Sequence, residues 1–163
     1  MTRSHAREIA VHMIFALSFG DFEVEELLEQ QMNQERFEEL APDMPLYTQY
    51  PNEKQEKYIC ALVRGVFAHG PELDDYIARY AKNWNFARIP RMAAAIMRTA
   101  MYEVLYMPEI PNAVAVNEAV EITKNYEAPE VVSFVNGVLG SFVRTEFPDT
   151  PAKPEKKADE AEG

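Results

Sequence analysis

Apolar residues along most of the 163-residue chain recur three or four positions apart, and sustained alternation of apolar and polar residues is missing. A spacing of three or four places apolar side chains on one face of an α-helix, whereas alternation would indicate a half-buried strand. The sequence therefore predicts an all-α protein. Glycines and prolines divide the pattern into about seven helices.

Cap and stop residues set the bounds of these predicted helices. Ser4 is a candidate N-cap for a first helix that ends near Leu17, and Asp21 is a candidate cap for a second, acidic helix. Asn52 and Gln55 have the spacing of a capping box, which predicts a helix from there to about Gly70. Four further helices are predicted over residues 71–82, 91–106, 113–126 and from 129 onward.

The chain is long enough for one substantial core, and we expect a single domain over residues 1–147. Three prolines between Ala41 and Pro51 interrupt the helical pattern, so a mobile surface loop is expected there. Residues 148–163 are rich in Pro, Ala, Lys, Asp and Glu. Such a composition buries too little apolar area to offset chain entropy, which predicts a disordered charged tail.

The formal net charge of -11 is unfavourable for binding nucleic acid, but the charges are unevenly distributed. Nine acidic residues and one base lie between Asp21 and Asp43, whereas residues 76–102 hold five bases and no acid. Acidic side chains repel phosphates over about 8–10 Å in physiological salt. A nucleic-acid site therefore requires the basic segment to lie on a different face from the acidic one.

Catalytic and metal-binding patterns are missing from the sequence. His5, His12 and His69 have no chelating spacing, and the single cysteine, Cys60, excludes a disulfide framework. No glycine-rich phosphate loop occurs, so we expect no enzyme activity and no cofactor. The apolar stretches are far shorter than the roughly 20 residues of a membrane span. Without a secretion signal either, a cytoplasmic protein with no membrane partner is expected.

Two groups of basic residues are candidates for RNA contact. In the helix predicted over residues 91–106, Arg91, Arg98 and Tyr102 fall on one stripe. Seven residues advance a helix by about 700°, which is nearly two full turns. Guanidinium groups and aromatic rings hold phosphates and stack on single-stranded bases. The alternative is a solvated arginine face with Tyr102 packed below it. The second group, Arg3, His5 and Arg7, lies at the start of the first helix. It can be a flexible arm that folds on RNA, or a terminus that only makes the protein more soluble.

Two segments near the end of the chain resemble the paired signature of the NusB family: VAVNEAVE at residues 114–121 and FVNGVLG at residues 134–140. The likeness extends to residues 6–8 and 15–17 of the first helix and to residues 96–104, and it covers roughly residues 3 to 146. It implies a transcription antitermination or elongation factor with two three-helix bundles. Such a protein binds the single-stranded boxA RNA of ribosomal RNA operons together with the ribosomal protein NusE.

The resemblance also implies partners and roles for single residues. The further partner is the RNA polymerase elongation complex with other Nus factors. The NusE-facing aromatic corresponds to Phe15. With the stripe residue Arg91 added, the predicted RNA-binding residues are Arg3, His5, Arg7, Arg91, Arg98, Phe134 and Asn136.

Three departures from the family pattern keep other functions open. The N-terminal arm has few arginines, Asn112 and Ala113 replace an aromatic residue and a lysine, and Gly140 replaces a common aspartate. The chain can therefore also be a protein-only scaffold of the transcription complex. An accessory domain of an RNA methyltransferase is disfavoured, because nothing in the chain would bind the methyl donor. The sequence leaves both a monomer and a homodimer open.

Overall fold

Helices account for every regular element in residues 1–82 and 84–150, which are the residues that the computed structural model describes. The predicted all-α class is therefore confirmed, and most of the predicted tail lies outside the described residues. The elements in chain order are α1 (Arg3–Leu17), α2 (Val24–Gln31), α3 (Gln34–Leu40), the 3-10 helix η1 (Pro45–Tyr47), α4 (Glu53–Ala68), α5 (Gly70–Tyr80), the 3-10 helix η2 (Phe86–Arg88), α6 (Arg91–Tyr106), α7 (Asn112–Lys124) and α8 (Pro129–Glu146).

Side-chain caps explain where several helices begin. The predicted capping box is confirmed: Asn52 N donates to Gln55 Oε1 at 2.9 Å, and Gln55 N donates to Asn52 Oδ1 at 2.8 Å. The cap predicted at Ser4 is wrong, because the Thr2 hydroxyl accepts from the amide of His5 and the helix begins at Arg3. Asp21 does not cap α2 either, since the helix starts after Glu23 without a side-chain cap.

One helix was not predicted. Asn33 has an extended backbone, and its Oδ1 accepts from Arg36 N at 2.8 Å, so a new helix starts just after α2 ends. This helix, α3, buries Phe37, which is 1% exposed. The described residues therefore hold eight α-helices where the glycine and proline pattern indicated about seven.

The segment between Ala41 and Pro51 is anchored, so the expectation of a mobile surface loop is wrong. Tyr47 is buried in η1, and its ring meets that of Phe37 edge to face at 4.9 Å. The ring of Tyr50 meets Phe37 at the same distance. The Tyr47 hydroxyl also lies 2.7 Å from Nδ1 of His12 on α1. Three aromatic rings and one hydrogen bond thus hold this proline-rich connection against its unit.

The described part of the chain divides into two compact units, residues 1–67 and residues 68–150. In the first unit, Gln55 Nε2 at the start of α4 donates to the carbonyl of Met1 at 2.5 Å. The core of this unit includes Ile9, Ile59, Leu62 and Val63, all 0% exposed. The two units together span the range predicted as one domain, 1–147, and the single domain stays a prediction.

Helix α6 is the centre of the second unit. It contacts α5, α7 and α8, and α8 also packs against α5 and α7. Small buried residues, among them Ala93, Ala95 and Ala100, let the neighbouring helices approach closely. Between them Ile96, Met97 and Met101 fill the space, each at most 1% exposed.

His12 should make the stability of the protein sensitive to acid. Burial lowers the pKa of His12 below its ordinary value, against an opposing effect of Glu8. In the unfolded chain the imidazole takes up a proton near pH 6.5, before the folded one does. The free energy of unfolding should therefore fall as the pH drops below about 6.5 and change little from this group above it.

We expect His12→Gln to reduce the loss of stability between pH 7 and pH 5, as measured by urea unfolding followed by circular dichroism. His5→Gln, at an exposed position on the same helix, is the matched control. An unchanged acid dependence in His12→Gln would contradict the assignment.

Candidate nucleic-acid interface

The basic residues at the start of α1 belong to the folded unit rather than to a free arm. The Arg3 guanidinium lies 4.1 Å from the centre of the Tyr58 ring, and that of Arg7 lies 5.8 Å from it. Arg7 is only 1% exposed, whereas His5 is exposed. The flexible-arm alternative is therefore wrong for these arginines, and the burial of Arg7 counts against a direct contact with RNA.

The stripe predicted on α6 is interrupted. Arg91 is exposed at the start of the helix, but Ala95 is fully buried one turn later. The side chain of Arg98 is 17% exposed, and its Nε donates to Asp74 Oδ1 on α5 at 2.6 Å. Arg98 therefore joins two helices, and the open part of the stripe is reduced to Arg91.

Tyr102 belongs to a cluster of aromatic rings from α6 and the residue preceding α5. Its ring centre lies 5.1 Å from that of Tyr106 and 5.8 Å from that of His69. The Tyr106 hydroxyl donates to Glu72 Oε1 at 2.5 Å, and this hydrogen bond raises the pKa of Tyr106 to about 12. Tyr106 is 41% exposed. Tyr102 is thus partly exposed and packed among other rings.

Phe134, near the start of α8, stacks on Trp84, which is not among the residues predicted to contact RNA. Its ring centre lies 4.3 Å from that of Trp84, with 29° between the ring planes. Trp84 is 38% exposed and Phe134 is half-buried, so the pair reaches the surface. The available signal was that Trp84 is the only tryptophan and stands between Lys82 and Arg88, both exposed. We call this pair the Trp84–Phe134 stack.

Asn136 does not share a surface with Phe134, although both come from one signature. Two residues turn a helix by about 200°, which places them on nearly opposite sides of α8. Asn136 is exposed and lines a groove between α7 and α8, together with Arg144. The structure therefore separates the two predicted residues into two surfaces.

Phe15 lies near the end of α1 in an exposed aromatic patch of the first unit. Its ring meets that of Phe19 edge to face at 4.8 Å, and Phe19 is 56% exposed. Phe22, which is 46% exposed, follows in the connection to α2. We call Phe15 and Phe19 the Phe15–Phe19 pair.

Acidic side chains follow this pair along the chain. Asp21, Glu23, Glu25 and Glu26 are all exposed. Arg64 on α4 donates two hydrogen bonds of 2.8 Å to Glu25, and the pKa of Glu25 is lowered by this contact. The aromatic rings of this patch are therefore followed in the chain by exposed carboxylates.

No metal centre emerges from residues 1–82 and 84–150, where no group of three or more His, Cys, Asp or Glu side chains could hold a metal ion. In the same part of the chain, no helix is long and apolar enough to span a membrane. Glu121 and Lys124 form the ordinary helical ion pair that their spacing predicts, at 3.0 Å.

Comparisons with known proteins agree on one family. The model of the NusB family matches residues 4–144. The transcription antitermination protein NusB of Acetivibrio thermocellus is 36% identical over 147 residues, 90% of this chain and 92% of that protein. Its counterpart in Symbiobacterium thermophilum is 34% identical over 144 residues, 88% of this chain and 90% of that protein.

Solved structures show the same fold. NusB of T. maritima superposes with a TM-score of 0.73 at 26% identity, covering 88% of this chain and 92% of that one. A complex of the antitermination factors NusB and NusE with double-stranded RNA contains a chain with a TM-score of 0.69 at 20% identity. That match covers 88% of this chain and 96% of the other, and at this identity it supports the fold alone.

Arg98→Ala should lower the free energy of unfolding by about 1–3 kcal/mol, since it removes a mostly buried charged hydrogen bond between α5 and α6. Lys124→Ala, which breaks an exposed ion pair in the same unit, should cost less than about 1 kcal/mol. Urea unfolding measures both. Equal losses in the two variants would contradict a structural role for the Arg98–Asp74 contact.

Proposed function

The chain belongs to the NusB family, and we propose that it is a transcription antitermination factor that binds the single-stranded boxA RNA of ribosomal RNA operons together with NusE. The family match and the names of the relatives support antitermination. The RNA-binding part of the proposal rests on the Trp84–Phe134 stack. The two compact units are compatible with the two helical bundles that the family resemblance implies.

Partly exposed aromatic rings suit single-stranded RNA, because the flat face of each unpaired base can stack on an aromatic ring. Base–aromatic stacking contributes about 1–3 kcal/mol per base and tolerates many sequences. Lys82 and Arg88 flank Trp84 in the chain, and Arg91 follows at the start of α6. We assign base stacking to the Trp84–Phe134 stack and attraction of the phosphates to these exposed cations.

The other predicted residues take less direct roles in this proposal. Arg98 acts through Asp74, by holding α6 against α5. Arg3 and Arg7 stabilise the start of α1 through Tyr58, and His5 is the exposed member of that group. Substitutions of these arginines therefore require a test of folding before a loss of RNA binding is interpreted.

The Phe15–Phe19 pair is the surface that we assign to NusE. Exposed aromatic residues supply much of the binding energy in protein interfaces, and charge complementarity speeds association. A ribosomal protein that contacts RNA phosphates carries basic surfaces, which suit the carboxylates that follow Phe19 in this unit. Bound to NusE and RNA, the protein would join the RNA polymerase elongation complex with other Nus factors.

A protein-only scaffold is the second candidate. The net charge of -11, the burial of Arg7 and the pairing of Arg98 all reduce the positive charge available to RNA. Salt dependence separates the candidates, because each phosphate neutralised on a single strand contributes a slope of about -0.7 to the logarithmic plot of affinity against salt. A flat plot would favour the scaffold.

We expect Trp84→Ala and Phe134→Ala each to weaken binding of boxA RNA by about 5- to 150-fold, the equivalent of one lost base stack. Fluorescence anisotropy with the purified chain and NusE measures the affinity for boxA and scrambled RNA over a salt series. Phe86→Ala removes a similarly exposed ring outside the stack and is the control.

Circular dichroism should stay native in all three variants. Loss of helicity in Phe134→Ala would assign that ring to the core, and Trp84→Ala would then decide the role of the stack. Failure of the unmodified protein with NusE to distinguish boxA from scrambled RNA would refute the proposed function.

Phe15→Ala and Phe19→Ala should each weaken binding of NusE by about tenfold or more, as expected for interface residues that contribute over 1 kcal/mol. Isothermal titration calorimetry without RNA measures this directly. Phe67→Ala removes another exposed ring of the first unit, 49% exposed, and should leave the affinity unchanged. Equal losses in the three variants would argue against a specific NusE surface.

A further inference from the structure

A groove of about 620 Å³ runs between α7 and α8 in the second unit. Its third wall is the chain that follows α8, where Asn112 Nδ2 at the start of α7 donates to Thr150 Oγ1 at 3.0 Å. Val116, Val120, Val143 and Phe147 supply apolar lining. The volume lies within the range of sites that bind small molecules or single groups of a larger ligand.

The polar groups of the groove favour an anion. Asn117 on α7 and Asn136 on α8 contribute amides, and within residues 84–150 Arg144 is the one charged side chain of the lining. Among the described residues that line the groove none is acidic, although the chain as a whole has a net charge of -11. The groove is therefore a locally positive site in an acidic protein.

The guanidinium of Arg144 lies over Gly140, which has no side chain. A Cβ at Gly140 would lie 2.9 Å from Nη1 of Arg144, so the guanidinium occupies the space above that glycine. Within residues 1–82 and 84–150, its hydrogen bond is to Ser141 Oγ at 3.3 Å, and it forms no ion pair with a carboxylate. A guanidinium with unused donors in a fixed fork suits a phosphate, which it can bind through two parallel hydrogen bonds.

We propose that this groove is a second RNA contact, which holds one nucleotide of the single strand that the Trp84–Phe134 stack engages. Arg144 binds the phosphate, the amides of Asn117 and Asn136 bond to base or ribose edges, and the valines cover the base. This inference rests on the proposed function and extends it to the opposite side of α8. A strand that reaches both sites passes around a helix about 10–12 Å wide.

Gly140→Asp is the most informative variant. The aspartate would stand one turn before Arg144, where it would displace the guanidinium and pair with it. The helix should tolerate the change, because the displaced atoms are the end of a flexible side chain and glycine is the weaker helix former. Arg144→Ala is the second variant, and Lys124→Ala, which removes the same charge from α7 outside the groove lining, is the matched control.

The experiment follows the full ¹⁵N-labelled chain with unlabelled NusE by nuclear magnetic resonance during titration with a single-stranded boxA RNA. We expect the side-chain amide signals of Asn117 and Asn136 to shift together with the indole signal of Trp84. Gly140→Asp and Arg144→Ala should abolish the amide shifts, retain the indole shift and weaken RNA binding by about tenfold, as for one charged hydrogen bond. Lys124→Ala should retain both shifts, and the melting temperature of Gly140→Asp should not fall.

The outcomes separate this inference from the proposed function. An indole shift without amide shifts would overturn the groove contact and leave the proposed function intact, whereas the absence of both shifts and of boxA binding would overturn both. Equal losses in Lys124→Ala and Arg144→Ala would reduce the effect to net charge and overturn the groove. If free uridine monophosphate caused the same amide shifts with the same affinity as RNA, the occupant would be a free nucleotide rather than part of a strand.

Discussion

The second unit depends on the close packing of α6 against α5, α7 and α8. Alanines on α6 are buried together with larger residues such as Ile96 and Met101, so neighbouring helices approach closely. This packing determines which polar residues of α6 are exposed and which contact neighbouring helices. Arg98 faces Asp74 on α5, and Tyr102 is held among other rings, so Arg91 is the member of the predicted stripe that remains exposed.

Helix α8 distributes its signature over three sides. Val135, Val138 and Leu139 are buried, Phe134 stacks on Trp84, and Asn136 lines the groove with α7. A motif of consecutive residues on a helix cannot form one flat contact, because each residue turns by about 100°. In this chain the signature therefore contributes to the core and to two separate surfaces. One surface is completed by Trp84 and the other by residues of α7.

Local charge matters more than the sum of charges in this protein. The acidic residues of the first unit follow the Phe15–Phe19 pair in the chain. In the second unit the described residues that line the groove include a guanidinium and no carboxylate. An acidic protein can thus present surfaces of opposite preference, because exposed charges act over only about 8–10 Å in physiological salt.

The sequence by itself determined the helical class, the bounds of α6, the capping box at Asn52 and the family, because periodicity, caps and signatures depend on residues close together in the chain. It missed α3, a short and mostly polar helix that begins at the Asn33 cap. Only the tertiary structure decided that Arg98 is paired, that Arg7 is buried and that Phe134 stacks on Trp84. Those facts depend on residues distant in sequence, whose approach is set by how the helices pack and not by any local pattern.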